Sequence, residues 1–425
     1  MKNRDRKVTI GGIILLVCLS FQTFQAHAQA EKKNWTRRWA IEAKGGWGYM
    51  IPCDEYAKEF IKSHHSSVYS VQMSHRSLVT DSCQYDQLFG FPSLSLGLIF
   101  ADYHRIKLQK ANTSYTSKTG YMLGAYASFS RDLFHSNKFS FNYTFENGLG
   151  WCSRPYDGFN NEDNELIGSP LSIYFGLGLY ARYRITSQWE LVLGGELKHF
   201  SNGAIDRPNK GINTTGISIG AKYYLQPTES IGKVAFKTPF SPYFFIDLSA
   251  GWDINSSMGE WLINNYHSTP DSPKYHTKDY KIYSGATVHA TAMYRYGRRY
   301  ASGIGLDYTF FPHTNVLKEE DEKLGYHNQT YCKHSVAVVA RHEIYYKRFT
   351  MYVGLAYYLH RKQGGVATEF GKPYYETLGI KYALTRNGNV YLGYHVKAHL
   401  LRADHMELNL GFRLKAGNGR KEKVW

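Results

Sequence analysis

The sequence is short of cysteine and of long apolar runs, and each shortage excludes a class of protein. Five cysteines in 425 residues are too few for a domain that depends on disulfides. After residue 21, no apolar run reaches the roughly 18 residues that a membrane-spanning helix requires. With 43% hydrophobic and 16% aromatic residues, the chain has ample material for a core. It is therefore a folded protein that does not cross a bilayer by helices.

Signs of nucleic-acid binding are also missing, although the formal net charge is +16. The chain has no Arg- or Lys-rich helix, no zinc-ligand cluster and no RNA-binding motif. An anionic membrane surface is the other natural partner of a basic protein. The charge therefore favours membrane lipids over nucleic acid.

The N-terminal segment 1–30 has the features of a secretory signal peptide. Four basic residues precede an apolar stretch at 8–21, and the small residues Ala26 and Ala28 provide a cleavage site. Export places the four later cysteines in an oxidising compartment, where Cys53 and Cys83 could pair or stay free. The spacing does not decide between these alternatives.

Alternation of apolar and polar residues dominates the rest of the chain. Every odd position from Leu171 to Ile185 is apolar or aromatic, which predicts a β-strand with one apolar face. Such segments run to about 10–15 residues, longer than typical soluble strands and long enough to cross a bilayer at a tilt. A soluble β-sandwich also alternates, but short turns here alternate with long loops, as in outer-membrane barrels. The pattern predicts an all-β, antiparallel transmembrane β-barrel.

The strand count is about eight before the segment 226–240 and about eight after it. Tandem eight-stranded barrels and one barrel of about sixteen strands both satisfy closure. Charged residues of both signs on the polar faces, such as Arg182 and Glu196, favour small barrels filled by ion pairs. The predicted units are a first barrel at 31–225, a linker at 226–240, a second barrel at 241–414 and a basic tail at 415–425.

One strand end carries residues that could do chemistry. His199 and Ser201 are two residues apart on the apolar face of the strand that begins at Trp189. A serine becomes a nucleophile when a base takes its proton, and histidine is the usual base. The spacing alone is weak evidence in a chain with 18 histidines. If the N-terminus starts in the periplasm, this strand ascends and the loop 200–213 opens at the cell surface, where lipid A carries ester-linked acyl chains.

The surrounding motif resembles a known family. His-Phe-Ser-Asn at 199–202, followed by Asn-x-Gly at 209–211, is similar to the lipid A 3-O-deacylases, the PagL-like outer-membrane esterases. The resemblance covers residues 35–225, and the second half looks like that of the longer relatives called acyloxyacyl hydrolases. It implies a cell outer membrane location in a Gram-negative bacterium, with lipopolysaccharide and outer-membrane lipids as partners.

The resemblance also implies roles for individual residues, without metal or cofactor. Ser201 would be the nucleophile and His199 the general base. Asn202 and Asn209, with backbone N–H groups near Gly203, would hold the oxyanion. The oligomeric state is left open.

One departure from the family concerns the group that orients the histidine. The family has an acid 12 residues beyond the serine, where this chain has Asn213. An amide could still hold the imidazole, as in Cys-His-Asn proteases, but it cannot offset the imidazolium charge. Asp206 or Glu196 could substitute, although Glu196 has the wrong parity for that face. The alternative function is therefore a catalytically decayed barrel that acts as scaffold, channel or receptor.

The second half does not repeat the pair. On its penultimate strand, His399 falls on the face opposite the apolar one, and Leu401 stands where a hydroxyl would be needed. This half is expected to be scaffold. The charged run at 318–323 is expected to be a solvated external loop.

Overall fold

The computed structural model describes residues 38–79, 83–111, 116–228, 240–278 and 280–415. The predicted signal peptide and most of the predicted linker and basic tail lie outside these residues. Among the described helices, none is long and apolar enough to span a membrane.

Sixteen long strands form two closed antiparallel barrels of eight strands each. In each barrel every strand pairs with the next along the chain, and the last strand pairs with the first. The tandem alternative is therefore correct, and the single large barrel is wrong. The strands of the first barrel are β1 (Trp39–Met50), β2 (His65–Arg76), β3 (Ser93–Asp102), β4 (Tyr121–His135), β5 (Phe139–Cys152), β6 (Leu171–Arg184), β7 (Trp189–Ser201) and β8 (Ile212–Tyr224). Those of the second are β9 (Tyr243–Ser256), β10 (Ile282–Arg295), β11 (Tyr300–Phe310), β12 (His334–Tyr346), β13 (Phe349–His360), β14 (Tyr374–Ala383), β15 (Val390–His399) and β16 (Arg402–Lys415).

The connections differ between the two ends of each barrel. We call the end with mostly tight turns the turn end and the opposite one the loop end. The exceptions are the long connection 77–92 at the turn end and the tight turn after β15 at the loop end. Short helices lie in the longer connections: α1 (Glu55–Phe60), α2 (Gln84–Leu88), α3 (Met258–Tyr266), α4 (Thr314–Lys323) and α5 (Gly364–Phe370).

The structure corrects the expectation for the charged run in the second barrel. The charged run at 318–323 lies in α4 and is solvated only in part: four of its residues are exposed, whereas Glu320 and Asp321 are buried. Asp321 accepts from the backbone N–H of Gly365 at 2.6 Å, and burial raises the pKa of Glu320 to about 7.

The four described cysteines are free. Cys53 and Cys83 lie at opposite ends of β2, so they cannot pair.

Buried ion pairs fill the lumen of the first barrel. Lys44 Nζ lies 3.1 Å from Glu196 Oε1, and Lys198 Nζ lies 2.9 Å from Glu196 Oε2. Closer to the turn end of the same lumen, Arg182 Nη1 lies 2.8 Å from Glu42 Oε2. All five side chains are less than a tenth exposed. The predicted filling of a small barrel by charged side chains is therefore confirmed.

The outer walls carry the apolar faces of the strands. On β7 the exposed odd positions include Leu191, Leu193 and Leu197. The even positions of the same strand are buried in the lumen. An apolar belt around each closed sheet is what a lipid environment requires.

The two barrels lie side by side and touch at both ends. At the turn end, Tyr346 Oη donates to Asp86 Oδ1 at 2.6 Å, and Arg299 Nη1 donates to the carbonyl of Leu88 at 2.9 Å. At the loop end, the Ser256 N–H donates to the carbonyl of Ala204 at 2.8 Å. The long connection 77–92 thus serves as a contact between the barrels.

Removal of Glu196 should destabilise the first barrel. Glu196→Ala leaves Lys44 and Lys198 buried without their nearest carboxylate, and breaking a buried pair from one side costs about 3–5 kcal/mol. Denaturant unfolding in detergent measures this loss. The exposed Glu59→Ala should change the free energy of unfolding by less than about 0.5 kcal/mol. Equal effects of the two substitutions would contradict the ion-pair account.

Candidate active site

The two residues singled out by the sequence lie on the outer wall at the loop end of β7. His199 and Ser201 continue the outward-facing odd positions of that strand. β8 runs antiparallel to β7, and its register places Asn213 directly opposite His199. Residues 202–211 join the two strands. Strand pairing therefore brings Asn213 next to His199 and Ser201, although it lies 12 residues beyond the serine in the sequence.

These three side chains form one hydrogen-bonded row. His199 Nε2 lies 2.8 Å from Ser201 Oγ, and His199 Nδ1 lies 2.6 Å from Asn213 Oδ1. With the amide oxygen facing the ring, Nδ1–H donates and Nε2 is left to accept the serine proton. The row has the polarity that a serine nucleophile with a histidine base requires.

Close backbone approach fixes the imidazole from the side of the connecting loop. Gly211 has φ of +79°, and a Cβ at this position would lie 2.8 Å from His199 Cε1. A glycine is needed there both for the left-handed backbone and for the contact with the ring. This explains why the motif ends in glycine.

Asn202 holds the loop that follows the serine. Its Nδ2 donates to Ser169 Oγ at 3.1 Å and to the carbonyl of Asp206 at 3.0 Å, and its Oδ1 accepts from Ala204 N–H at 3.1 Å. Its own N–H donates to Asn209 Oδ1 at 2.9 Å. The side chain is thus a support of the loop, and its amide has no donor left for an oxyanion.

Two further candidate donors lie in the loop that follows the serine. Asn209 Nδ2 is buried and has no hydrogen-bond partner among the described residues. Gly203 adopts φ of +65° directly after Asn202. Because Asn202 donates both amide hydrogens to other groups of the protein, the Gly203 N–H and Asn209 Nδ2 are the predicted oxyanion donors that remain.

The alternative acids do not reach the histidine. Glu196 points into the lumen, where Lys44 and Lys198 bind it. Asp206 Oδ1 accepts from the N–H of Arg207 at 2.9 Å. Asn213 is accordingly the residue that contacts His199 Nδ1.

The second barrel covers part of the site, which the sequence did not indicate. A Cβ on Gly203 would lie 2.4 Å from Met406 Cγ, so Met406 of β16 packs directly on the loop after Ser201. Ser201 is 8% exposed and Met406 is 5% exposed, although both occupy outward-facing positions. Alternation identifies such positions as outward-facing, but it does not show that another barrel covers them.

The second barrel lacks a comparable row at the corresponding strand end. His399 faces inward, with its Nε2 3.3 Å from Tyr358 Oη. Leu401 is 87% exposed in the turn. The expectation that this strand end carries no catalytic pair agrees with these positions.

The fold defines a class: closed eight-stranded barrels with an apolar outer wall are outer-membrane β-barrels. Residues 23–222 match the family model of lipid A 3-O-deacylase (PagL). Residues 250–416 match the model of the acyloxyacyl hydrolase C-terminal domain. The chain therefore belongs to the lipid A 3-O-deacylase family, in the longer form that carries the C-terminal domain.

Three solved structures are similar to parts or most of the chain. The outer membrane enzyme PagL is 14% identical, with 43% of this chain and 97% of that chain covered and a TM-score of 0.27. Neisserial surface protein A is 13% identical, with 44% and 96% covered and a TM-score of 0.27. A porin of Rhodopseudomonas blastica, a triple mutant, is 10% identical, with 88% and 99% covered and a TM-score of 0.18. None of the curated proteins matches the chain.

Adding a methyl group beside the imidazole should impair ester hydrolysis. Gly211→Ala forces its Cβ against His199, and a displacement of about 1 Å costs about 100-fold in rate. Hydrolysis of a p-nitrophenyl ester by detergent-solubilised protein measures the effect. Gly195→Ala on β7, the strand that carries His199, is the matched control, because its Cβ meets nothing within 4 Å. Full activity of Gly211→Ala would contradict the placement of the ring.

Proposed function

We propose that this protein is a serine esterase that removes an ester-linked acyl chain from lipid A. The observation that carries the proposal is the row Ser201, His199, Asn213 on the outer wall of the first barrel, with contacts of 2.8 and 2.6 Å. The match of residues 23–222 to the lipid A 3-O-deacylase model supports an ester hydrolase.

In the first half of the reaction, Ser201 Oγ attacks the acyl carbonyl while His199 Nε2 takes its proton. The carbonyl oxygen becomes an oxyanion, for which Asn209 Nδ2 and the Gly203 N–H are the candidate donors. The bond to the sugar hydroxyl oxygen then breaks, and His199 returns the proton to that oxygen. The products are an acyl-serine and the deacylated lipid A.

In the second half, water takes the place of the sugar hydroxyl. His199 removes a proton from the water, which attacks the acyl-serine carbonyl. The ester bond to Ser201 breaks, the serine recovers its proton, and the fatty acid leaves. No group beyond water and these side chains is needed to balance the reaction.

The position of the row suits a substrate that is itself part of a membrane. Acyl chains packed against the apolar belt run along the outer wall, and their ester groups lie at the depth of the strand ends. Basic residues are exposed at the same end, among them Arg105, Lys107 and Arg154. They can bind the phosphates of lipid A. We place the loop end at the surface of the outer membrane of a Gram-negative bacterium and the turn end in the periplasm.

The channel alternative has less support. Side chains of Lys44, Glu196 and Lys198 meet in the lumen of the first barrel. A second group, with Lys381 Nζ 3.1 Å from Asp247 Oδ2, occupies the second lumen. Lumens filled by paired charges leave little room for a conducting path.

Loss of the serine hydroxyl should abolish deacylation. Mass spectrometry of lipid A from expressing cells should show one acyl chain fewer with the wild type and full acylation with Ser201→Ala. Ser302→Ala is a matched control, because Ser302 Oγ lies 2.9 Å from His342 Nδ1 on the outer wall of the second barrel, near the turn end. It should deacylate like the wild type. Deacylation of lipid A by the Ser201→Ala variant would contradict the proposal.

Supplying a carboxylate at position 213 should increase the rate. A carboxylate next to an imidazole stabilises its charged form by at least one pKa unit, equivalent to about tenfold. Asn213→Asp should therefore raise kcat about tenfold, and Asn213→Ala should lower it. The p-nitrophenyl ester assay compares the three proteins. If neither substitution changes kcat, Asn213 does not orient the base.

A further inference from the structure

A second group of chemically active side chains lies inside the second barrel. Its members are three histidines and two carboxylates from four consecutive strands around the seam where β16 closes onto β9. Each is at most 3% exposed. They are Asp253 on β9, His289 on β10, His395 on β15, and His405 and Glu407 on β16.

Glu407 is the centre of this group. His289 Nε2 lies 2.8 Å from Glu407 Oε1, and His395 Nε2 lies 3.4 Å from Glu407 Oε2. Two ligand atoms that bind one zinc-like ion tetrahedrally at about 2.1 Å are about 3.4 Å apart. The His395–Glu407 distance equals this separation, whereas His289 Nε2 lies at hydrogen-bond distance from Glu407 Oε1. All three ligand atoms lie within 4.8 Å of one another, so one small cation can reach them.

The other nitrogen of each ring is held by a separate partner. His289 Nδ1 lies 2.7 Å from Asp307 Oδ1, which also accepts from Arg341 Nη2 at 2.6 Å. Arg341 Nη2 is 2.8 Å from the same ring nitrogen. His395 Nδ1 lies 2.6 Å from Tyr352 Oη. Metal-binding histidines are oriented in this way, with Nδ1 bound to an outer group and Nε2 directed at the ion.

On the other side of Glu407 lies Asp253, one of whose carboxylate oxygens has no hydrogen bond in the described part of the chain. Oδ1 of Asp253 accepts no hydrogen bond from the described residues. It lies 3.8 Å from His405 Nε2, and a ligand set of Asp253, His405 and Glu407 falls within 4.8 Å. Asp253 and Glu407 are also direct neighbours across the β9–β16 pair. Two carboxylates in that relation repel unless a proton or cation lies between them.

The local charge points the same way. Asp253, Glu407 and Asp307 bring three negative charges to this level of the lumen, whereas Arg341 brings one positive charge. With the three histidines neutral, as metal ligands are, these groups leave an excess of two negative charges. A divalent cation balances that excess.

We infer that the second barrel binds a divalent transition-metal ion through His289, His395 and Glu407, with Asp253 and His405 extending the site. Imidazole and carboxylate together favour ions of the zinc, manganese and iron class over magnesium or calcium. The ion cross-links β9, β10, β15 and β16, and so fastens the closing seam of the barrel. It acts apart from the proposed ester hydrolysis, whose steps use only water and the side chains of the first barrel.

Metal binding to the full-length protein in detergent tests the inference. After treatment with a chelator, equilibrium dialysis against zinc should give one or two bound ions per chain. Glu407→Gln and His395→Gln should weaken binding at least about tenfold. His334→Gln, on an exposed histidine of the same barrel, is the matched control and should bind like the wild type. Less than one zinc ion per wild-type chain, or unchanged binding by both cluster variants, overturns the site.

X-ray absorption spectroscopy of the zinc-loaded wild type identifies the zinc ligands directly, so this test does not require any variant to fold. Two or three imidazole ligands with carboxylate oxygen support the site. Thiolate ligands, or oxygen ligands alone, would place the zinc elsewhere and overturn it.

Discussion

The closure of each sheet on itself is the constraint on which the rest of this structure depends. A strand in lipid must satisfy its backbone N–H and C=O groups within the protein, and only a closed sheet leaves no open edge. Closure around eight strands makes a narrow lumen, so the inward side chains must fill it. In this protein they do so with ion pairs such as Lys44 with Glu196. The outer wall is then free to face the membrane.

That division explains where chemistry can occur. Polar side chains on an outer wall in lipid are tolerated only near the rim. His199 and Ser201 occupy that position, and strand pairing supplies Asn213 to the ring. The second barrel adds a cover, because Met406 packs on the loop after Ser201. The row of Ser201, His199 and Asn213 therefore lies between the outer wall and a neighbouring barrel, which limits access from one side.

The sequence predicts the local part of this arrangement well. Period-two alternation identifies the strands, and parity places His199 and Ser201 together on the outer face, because both depend only on neighbouring residues. Contacts between distant segments left no such signal. The cover by Met406, the burial of Glu320 and the cluster of histidines and carboxylates around Glu407 each depend on how strands and loops meet in space. The role of Asn202 also could not be predicted from its place in the motif. Its side-chain amide makes hydrogen bonds that hold the loop, so it cannot donate to an oxyanion.

The central claim is that Ser201 is a nucleophile directed at lipid from the outer wall. Its most direct test uses a phosphonate that carries a long alkyl chain, added to outer-membrane vesicles that contain the wild-type protein. Peptide mass spectrometry then locates the adduct. The account predicts that the phosphonyl group is found on the peptide containing Ser201. An unmodified Ser201 peptide, with the adduct on another serine or on none, would contradict it.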